Sequence, residues 1–176
     1  PSQSGPAGFN YGRLYTNTSD ILSFRDTNEM HGSHVAGIAG GSGYGTAQRQ
    51  FAGVAYDADL VFVGIKYYND TYGPSALSGR FVANPAIIDA YDYIFKYADS
   101  VGKPCVINAS LGAYWGSHDG KDMAGLLVDS LLEERAGRML VWAGGNAGNF
   151  PFHLGYDVTA DTSYTWFKYY APRQNY

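Results

Sequence analysis

The sequence predicts an α/β domain, a parallel sheet with helices on both faces, ending in a β-rich tail. Three observations lead there. Short apolar runs, "ADLVFVGIKYY" (58–68), "CVINASL" (105–111) and "RMLVWAGGN" (138–146), alternate with two long amphipathic segments, "NPAIIDAYDYIFKYADSVG" (84–102) and "KDMAGLLVDSLLEERAG" (121–137). The runs are continuous rather than alternating, which suits strands covered on both faces. Each pair of successive runs is separated by enough chain for a helix, so right-handed crossovers and parallel pairing follow. In such sheets, sites form at the carboxyl ends of the strands.

Residues 1–29 are polar and rich in Gly, Ser, Thr and Asn, and read as a loop-dominated lead-in. From His31 to about Gly40 the small apolar residues suit a short buried helix that packs close to its neighbours. The 58–68 run reads as a buried strand. In 84–102, Ile87, Tyr91, Ile94, Phe95 and Ala98 recur at helical spacing, with Pro85 in the first turn and Gly102 at the end. The second strand, 105–111, precedes a helix over 121–137 with Met123, Leu127, Leu131 and Glu134 on one stripe and Gly137 as its stop. The third strand runs into a glycine-rich turn. Beyond it, "PFHLGYDVTADTSYTWFKYY" (151–170) alternates and is aromatic-rich, the pattern of antiparallel β. A boundary near Phe150 therefore divides the chain into 1–150 and 151–176.

Composition excludes several classes. With 176 residues, 45% hydrophobic and 16% charged, the chain is globular and long enough for one sizeable core. A formal net charge of −4 leaves no basic stripe to neutralise phosphates, which argues against a nucleic-acid partner. No apolar run approaches the roughly eighteen residues of a membrane span. The opening "PSQSGPAGFNYGRLYTN" has neither the basic nor the apolar region of a signal peptide. Cys105, the single cysteine, reads as a buried small hydrophobe. Sequons stand at Asn17, Asn69 and Asn108 and matter only in a glycosylating host.

The stretch "HGSHVAGIAGG" (31–41) sets His31 and His34 three residues apart among small side chains. Residue types alone leave three readings open: core histidines, a metal pair, or a catalytic base. Metal binding lacks a third ligand nearby. The glycine-rich "AGGNAGN" (143–149) alone suggests a turn; as a phosphate cradle it lacks a P-loop lysine and a GxGxxG spacing.

Four segments together are more specific. "HGSHVAGIAGG" resembles the His-Gly-Thr-His-Val-Ala-Gly signature of subtilisin-like serine peptidases, with Ser33 in place of the usual Thr. "FAGVAYDADLVFVGIK" (51–66) is similar to the family's Gly-Val-Ala-Pro segment, with Tyr56 replacing Pro and one extra residue. "PCVINASLG" (104–112) and "VWAGGNAGN" (141–149) resemble its Val-Ile-Asn-x-Ser-Leu-Gly strand and its oxyanion segment. The order is the family's, over roughly residues 26–150. The resemblance implies a subtilisin-like three-layer fold, a polypeptide substrate, and a secreted, cell-surface or periplasmic location. It implies His31 as general base, His34 as a packing histidine, and Asn146 as oxyanion-hole donor. Ser110, Leu111 and Gly112, with Gly144 and Gly145, would bind the substrate backbone. No cofactor is implied; the family has structural calcium sites, but no carboxylate cluster here matches one well enough to name ligands. Oligomeric state is left open.

The resemblance also leaves a deficiency. The family's order is Asp, His, Ser, yet only thirty residues precede His31 and none forms the Asp-(Ser/Thr)-Gly turn after a strand. Asp20 and Asp26 are the available aspartates. Gly-Thr-Ser-Met-Ala is absent; "DTSYT" (161–165) offers Ser163 without its surroundings. Two explanations compete: a central fragment of a peptidase, inactive alone because Asp and Ser lie outside it, or a catalytically dead scaffold that binds extended peptides. Retention of both His31 and Asn146 favours the fragment. A nucleotide-binding α/β domain is a remoter alternative.

Overall fold

The core forms where two helices meet a parallel strand pair. A computed structural model describes residues 5–24, 30–65, 85–112, 118–146, 148–149 and 155–166. In chain order the elements are α1 (Thr18–Ser23), α2 (His31–Gly40), a single 3-10 turn (Ala47–Arg49), α3 (Pro85–Ser100), β1 (Cys105–Ala109), α4 (Met123–Glu133) and β2 (Arg138–Trp142). The result is an α/β arrangement, a small parallel sheet with four helices among the described residues.

Helix α3 carries the largest share of the core. Ile87, Ala90, Tyr91, Phe95 and Ala98 are buried, the stripe that the 3.6-residue period demands. Its end is a Schellman motif: the Gly102 amide donates to Asp99 (3.1 Å) and the Lys103 amide to Ala98 (3.0 Å). Gly102 takes φ +68°, the left-handed geometry that made glycine the expected stop. Helix α4 begins at Asp122, whose side chain accepts the Gly125 amide at 2.8 Å. It ends at Glu133 rather than at Gly137, which instead turns the chain into β2 at φ +89°. The packed face also differs from the expected stripe. Val128, Leu131 and Leu132 meet the core, whereas Met123 is 74% and Leu127 44% exposed. Leu-rich on several sides, α4 offered two stripes, and contact with α3 and β2 selected one.

Strands β1 and β2 pair in parallel from Cys105 opposite Arg138 to Ala109 opposite Trp142. One face is covered: Ile107 and Ala109 join Ile87, Tyr91 and Phe95, flanked by Val128, Leu131, Leu132 and Leu140. Both α3 and α4 therefore lie on this face. On the other, Val106 (67%), Met139 (56%) and Val141 (48%) are exposed among the described residues. Helices on both faces, expected from the continuous apolar runs, are thus not present among the described elements.

Two further expectations meet a different structure. Residues 58–65 form no strand, and Phe62 and Val63 are exposed; 66–68 lie outside the described residues. A β-branched run becomes a strand only with a ladder partner; here Leu60 lies against Gly40 of α2 and Ile65 packs against the core instead. Residues 155–166 form neither helix nor strand and are exposed, with a bend at Ala160–Asp161, and the rest of 151–176 lies outside the described residues. Within 1–29, a helix stands where only loop was expected. Asn17 caps α1 by accepting the Asp20 amide at 2.8 Å, a cap legible in "NTSD".

The small residues of α2 have a specific use. Its last carbonyls are satisfied by the following loop: Val54 donates to Ile38 (3.1 Å), Ala55 to Ala39 (2.8 Å) and Gly53 to Gly41 (2.7 Å). This brings backbone against backbone. A Cβ on Gly53 would lie 2.6 Å from the Gly41 nitrogen and 2.8 Å from the Gly37 oxygen. Gly53→Ala is therefore expected to destabilise by about 1–3 kcal/mol in urea unfolding, the range for overpacking against atoms that cannot yield.

A buried cation fastens the strand pair to both helices. The Arg138 side chain, 4% exposed, donates to Asp99 (2.5 Å), to Glu134 (2.7 Å) and to the Leu131 carbonyl (2.6 Å). Its guanidinium lies 5.0 Å from the Phe95 ring centroid. The hydrogen bond from Arg138, outweighing desolvation and helped by the charges of Arg138 and Arg135, holds the Asp99 carboxyl below the usual carboxylate range. Because the folded pKa is depressed, this stabilisation is complete above the unfolded value of about 3.9 and is lost as pH falls through the folded one. Urea unfolding at low salt should show wild-type stability falling below about pH 4 more steeply than that of Asp99→Asn. Parallel curves would remove Asp99 from the account.

Candidate active site

The parallel register sends the ends of β1 and β2 out at the same edge. The Ala143 amide donates to the Ala109 carbonyl at 3.1 Å, carrying the ladder one bond past the strands. Two residues on, the Trp142 indole Nε1–H donates to the Leu111 carbonyl at 2.5 Å. A Cβ added to Gly112 would lie 3.4 Å from the Gly145 Cα, so these two glycines face each other backbone to backbone. Gly145 takes φ +88°, a left-handed turn immediately before Asn146. Of the residues expected to form a site, the structure sets Gly112 against Gly145, with Ser110 and Leu111 preceding the one and Gly144 and Asn146 flanking the other in the chain.

Backbone directions follow from the pairing. Successive peptide groups of a strand point to opposite edges, and the Ala109 and Leu111 carbonyls are both engaged from the β2 side. Beyond Ala109 the chain leaves the regular ladder, and the edge of β1 away from β2 has no strand partner among the described residues. Above the sheet's open face, the Asn108 side-chain amide donates to Ser110 Oγ at 3.1 Å. Asn146, next in the chain after Gly145, is exposed.

His31 is the first residue of α2, preceded by Met30 in left-handed geometry (φ 63°). It is exposed, as is His34, so neither is the buried histidine expected of a packed helix. The reason is the open sheet face: α2 is described against the 52–60 loop, with Leu60 on Gly40, and its outer surface stays in solvent. His34, expected to pack, instead lines an open groove of about 700 Å³ with Ile38, Tyr44, Phe51 and Val54.

The remaining candidates are placed as follows. Asp20 sits in the first turn of α1, its carboxylate receiving the Asn17 side-chain amide at 2.8 Å. Asp26 lies outside the described residues, and Ser163 is exposed in the unpaired 155–166 segment. Cys105 is half-buried at the start of β1, and burial pushes its thiol up, away from nucleophilic thiolate. Among the described residues, no three His, Cys, Asp or Glu side chains converge as a metal site. Nor is any helix there long and apolar enough to cross a membrane. Trp142 went unnoticed in the sequence; a bulky aromatic immediately before a glycine-rich strand exit was its signal.

Two parallel strands whose carboxyl ends meet at a glycine turn followed by an asparagine define an α/β protein of the parallel-sheet class. Comparison with known proteins gives that class a family. The subtilase family model matches residues 11–168, and the chain belongs to that family. It is 31% identical over 144 residues to the PII-type proteinase of Lactococcus lactis subsp. cremoris, covering 81% of this chain and 7% of the relative. The PII-type proteinase of Lacticaseibacillus paracasei matches equally, at 31% over 144 residues, 81% of this chain and 7% of its own. For the PIII-type proteinase of L. lactis subsp. cremoris strain SK11 the figures are 31% over 144 residues, 81% and 6%. The chain thus spans about 7% of the length of the curated relatives it matches. No solved structure gives a significant match.

Proposed function

We propose that these residues are the central part of a subtilisin-like serine endopeptidase, hydrolysing peptide bonds by acyl transfer once the aspartate and serine from outside the 176 residues are in place. The observation that supports this reading is the meeting of Gly112 and Gly145 beyond the parallel ladder, which draws the exits of the two strands together one residue before Asn146. An extended polypeptide would add to that edge through Ser110–Gly112 as a further strand, gaining affinity from main-chain bonds. Asn146 would donate its side-chain amide to the oxyanion of the tetrahedral intermediate, beside Gly144 and Gly145.

His31 would take the proton of the serine hydroxyl as it attacks, then return it to the departing amine. For this, α2 would seat on the open sheet face, covering Val106, Met139 and Val141 and completing a third layer. The exposure of those three side chains supports such a cover. In this reading residues 1–150 belong to the catalytic domain and 151–176 begin an inserted β segment. Calcium would be structural, and the location outside the cytoplasm; both rest on the family resemblance.

The isolated chain is expected to take no label from an active-serine fluorophosphonate probe. Labelling at Ser163 would overturn that and return the nucleophile to this chain. Extending the reading frame supplies the second arm. An upstream Asp-(Ser/Thr)-Gly and a downstream Gly-Thr-Ser-Met-Ala support the peptidase, and their absence from the whole protein would leave a dead scaffold.

A further inference from the structure

We propose that Trp142 is a positioning residue for the substrate-pairing strand, acting through its hydrogen bond to the Leu111 carbonyl. This inference rests on the reading of Ser110–Gly112 as the edge that pairs with an extended polypeptide. Regular pairing of β1 with β2 ends at Ala109 opposite Trp142. Past that point, the only backbone tie described between the two segments is the Ala143 amide on the Ala109 carbonyl. Ser110–Gly112 would otherwise leave the sheet without a backbone partner and sample many orientations. The Trp142 Nε1–H bond, 2.5 Å long, reaches two residues further and ties the Leu111 carbonyl to the β2 side.

The consequence for the free edge is geometric. Held on the extended path of β1, with the Ala109 and Leu111 carbonyls on the β2 side, the segment would turn the intervening Ser110 N–H and C=O outward, where an incoming main chain would pair. Indole is a donor with no acceptor, so it fixes the polarity of the bond. The ring itself is held in place. Tyr91, buried in the core, meets it edge-to-face at 5.9 Å and 80°. A chain of contact therefore runs from the core through Tyr91 and Trp142 to the Leu111 carbonyl. Pre-ordering an edge in this way raises affinity for main chain irrespective of its sequence, because less freedom is lost on binding.

The test uses the isotopically labelled chain and acetyl-tetra-alanine amide as a sequence-neutral extended probe, followed by NMR. The Trp142 indole N–H resonance, assigned by its disappearance in Trp142→Phe, should exchange with solvent more slowly than that of exposed Trp166. Peptide should shift the Ser110 and Gly112 amides. Trp142→Phe, which keeps a ring for Tyr91 but has no donor, should weaken binding roughly 3- to 10-fold, the effect of one hydrogen bond. Met139→Ala, on the exposed sheet face, should leave affinity unchanged. Equal affinity in Trp142→Phe and wild type, or unprotected exchange at the Trp142 indole, would overturn the positioning role alone. If wild type shows no shift at residues 110–112, the substrate-strand reading falls, and this role with it.

Discussion

Replacing His31 by alanine in the proposed peptidase is expected to lower kcat on the order of 10⁶-fold, the loss known for the corresponding histidine of subtilisin, with KM little changed. A base that acts only while the serine proton is moving contributes to the transition state and not to substrate binding. The loss therefore falls on kcat and kcat/KM alike. His34→Ala is the discriminating companion. It lies one helical turn on, and in this account it does not touch the reacting atoms, so its effect should stay within about tenfold. A peptidase assay with a single chromogenic substrate reads both variants. Comparable losses at the two positions would make the histidines a functional pair, and the assignment of the base to His31 would fail.

The second large effect concerns stability. Phe95→Ala should destabilise the chain by about 3–5 kcal/mol, the range for deleting a buried aromatic ring. At 1% exposed, Phe95 is the largest fully buried side chain described, packed with Ile87, Tyr91 and Ile107 and facing the Arg138 guanidinium at 5.0 Å. Its removal opens a cavity and strips the buried cation of its aromatic neighbour. Against a typical total of about 5–15 kcal/mol, such a loss brings the fold near its limit. Phe62→Ala, at a ring 67% exposed, should stay within about 0.5 kcal/mol in the same urea titration.

The contrast between these phenylalanines shows what was legible in the sequence. Phe95 belongs to a sixteen-residue helix whose apolar stripe repeats over four turns, closed by a glycine at a left-handed position. Periodicity and stop signal agree there, so helix, core face and end were all readable. Phe62 belongs to a run with no period that a ladder partner alone could have made into a strand, and local sequence does not encode a partner. The same distinction separates the halves of the candidate site. Ser110–Gly112 and Gly144–Asn146 follow directly from two short strands in parallel register, each with its exit residues written in sequence. His31 was recognisable by resemblance, and the helix carrying it was readable from its small residues. Where that helix sits is a tertiary matter: the close approach of Gly53 to Gly41 fixes it against the 52–60 loop, and its small residues signal a close neighbour without saying which. Trp142 and Arg138 were missed for another reason. Each acts through a side chain bridging elements distant in sequence, Arg138 to Asp99 across 39 positions and Trp142 to Leu111 across 31.

Affinity labelling of the intact peptidase by a peptidyl chloromethyl ketone tests the central claim most directly, because the bound inhibitor presents its chloromethyl carbon to the imidazole of the catalytic base. Displacement of chloride leaves a stable ring-nitrogen adduct that peptide mass mapping assigns to a residue. The account predicts the adduct on His31, and its loss in His31→Ala. An adduct on His34, or an inhibited enzyme with neither histidine modified, would contradict it.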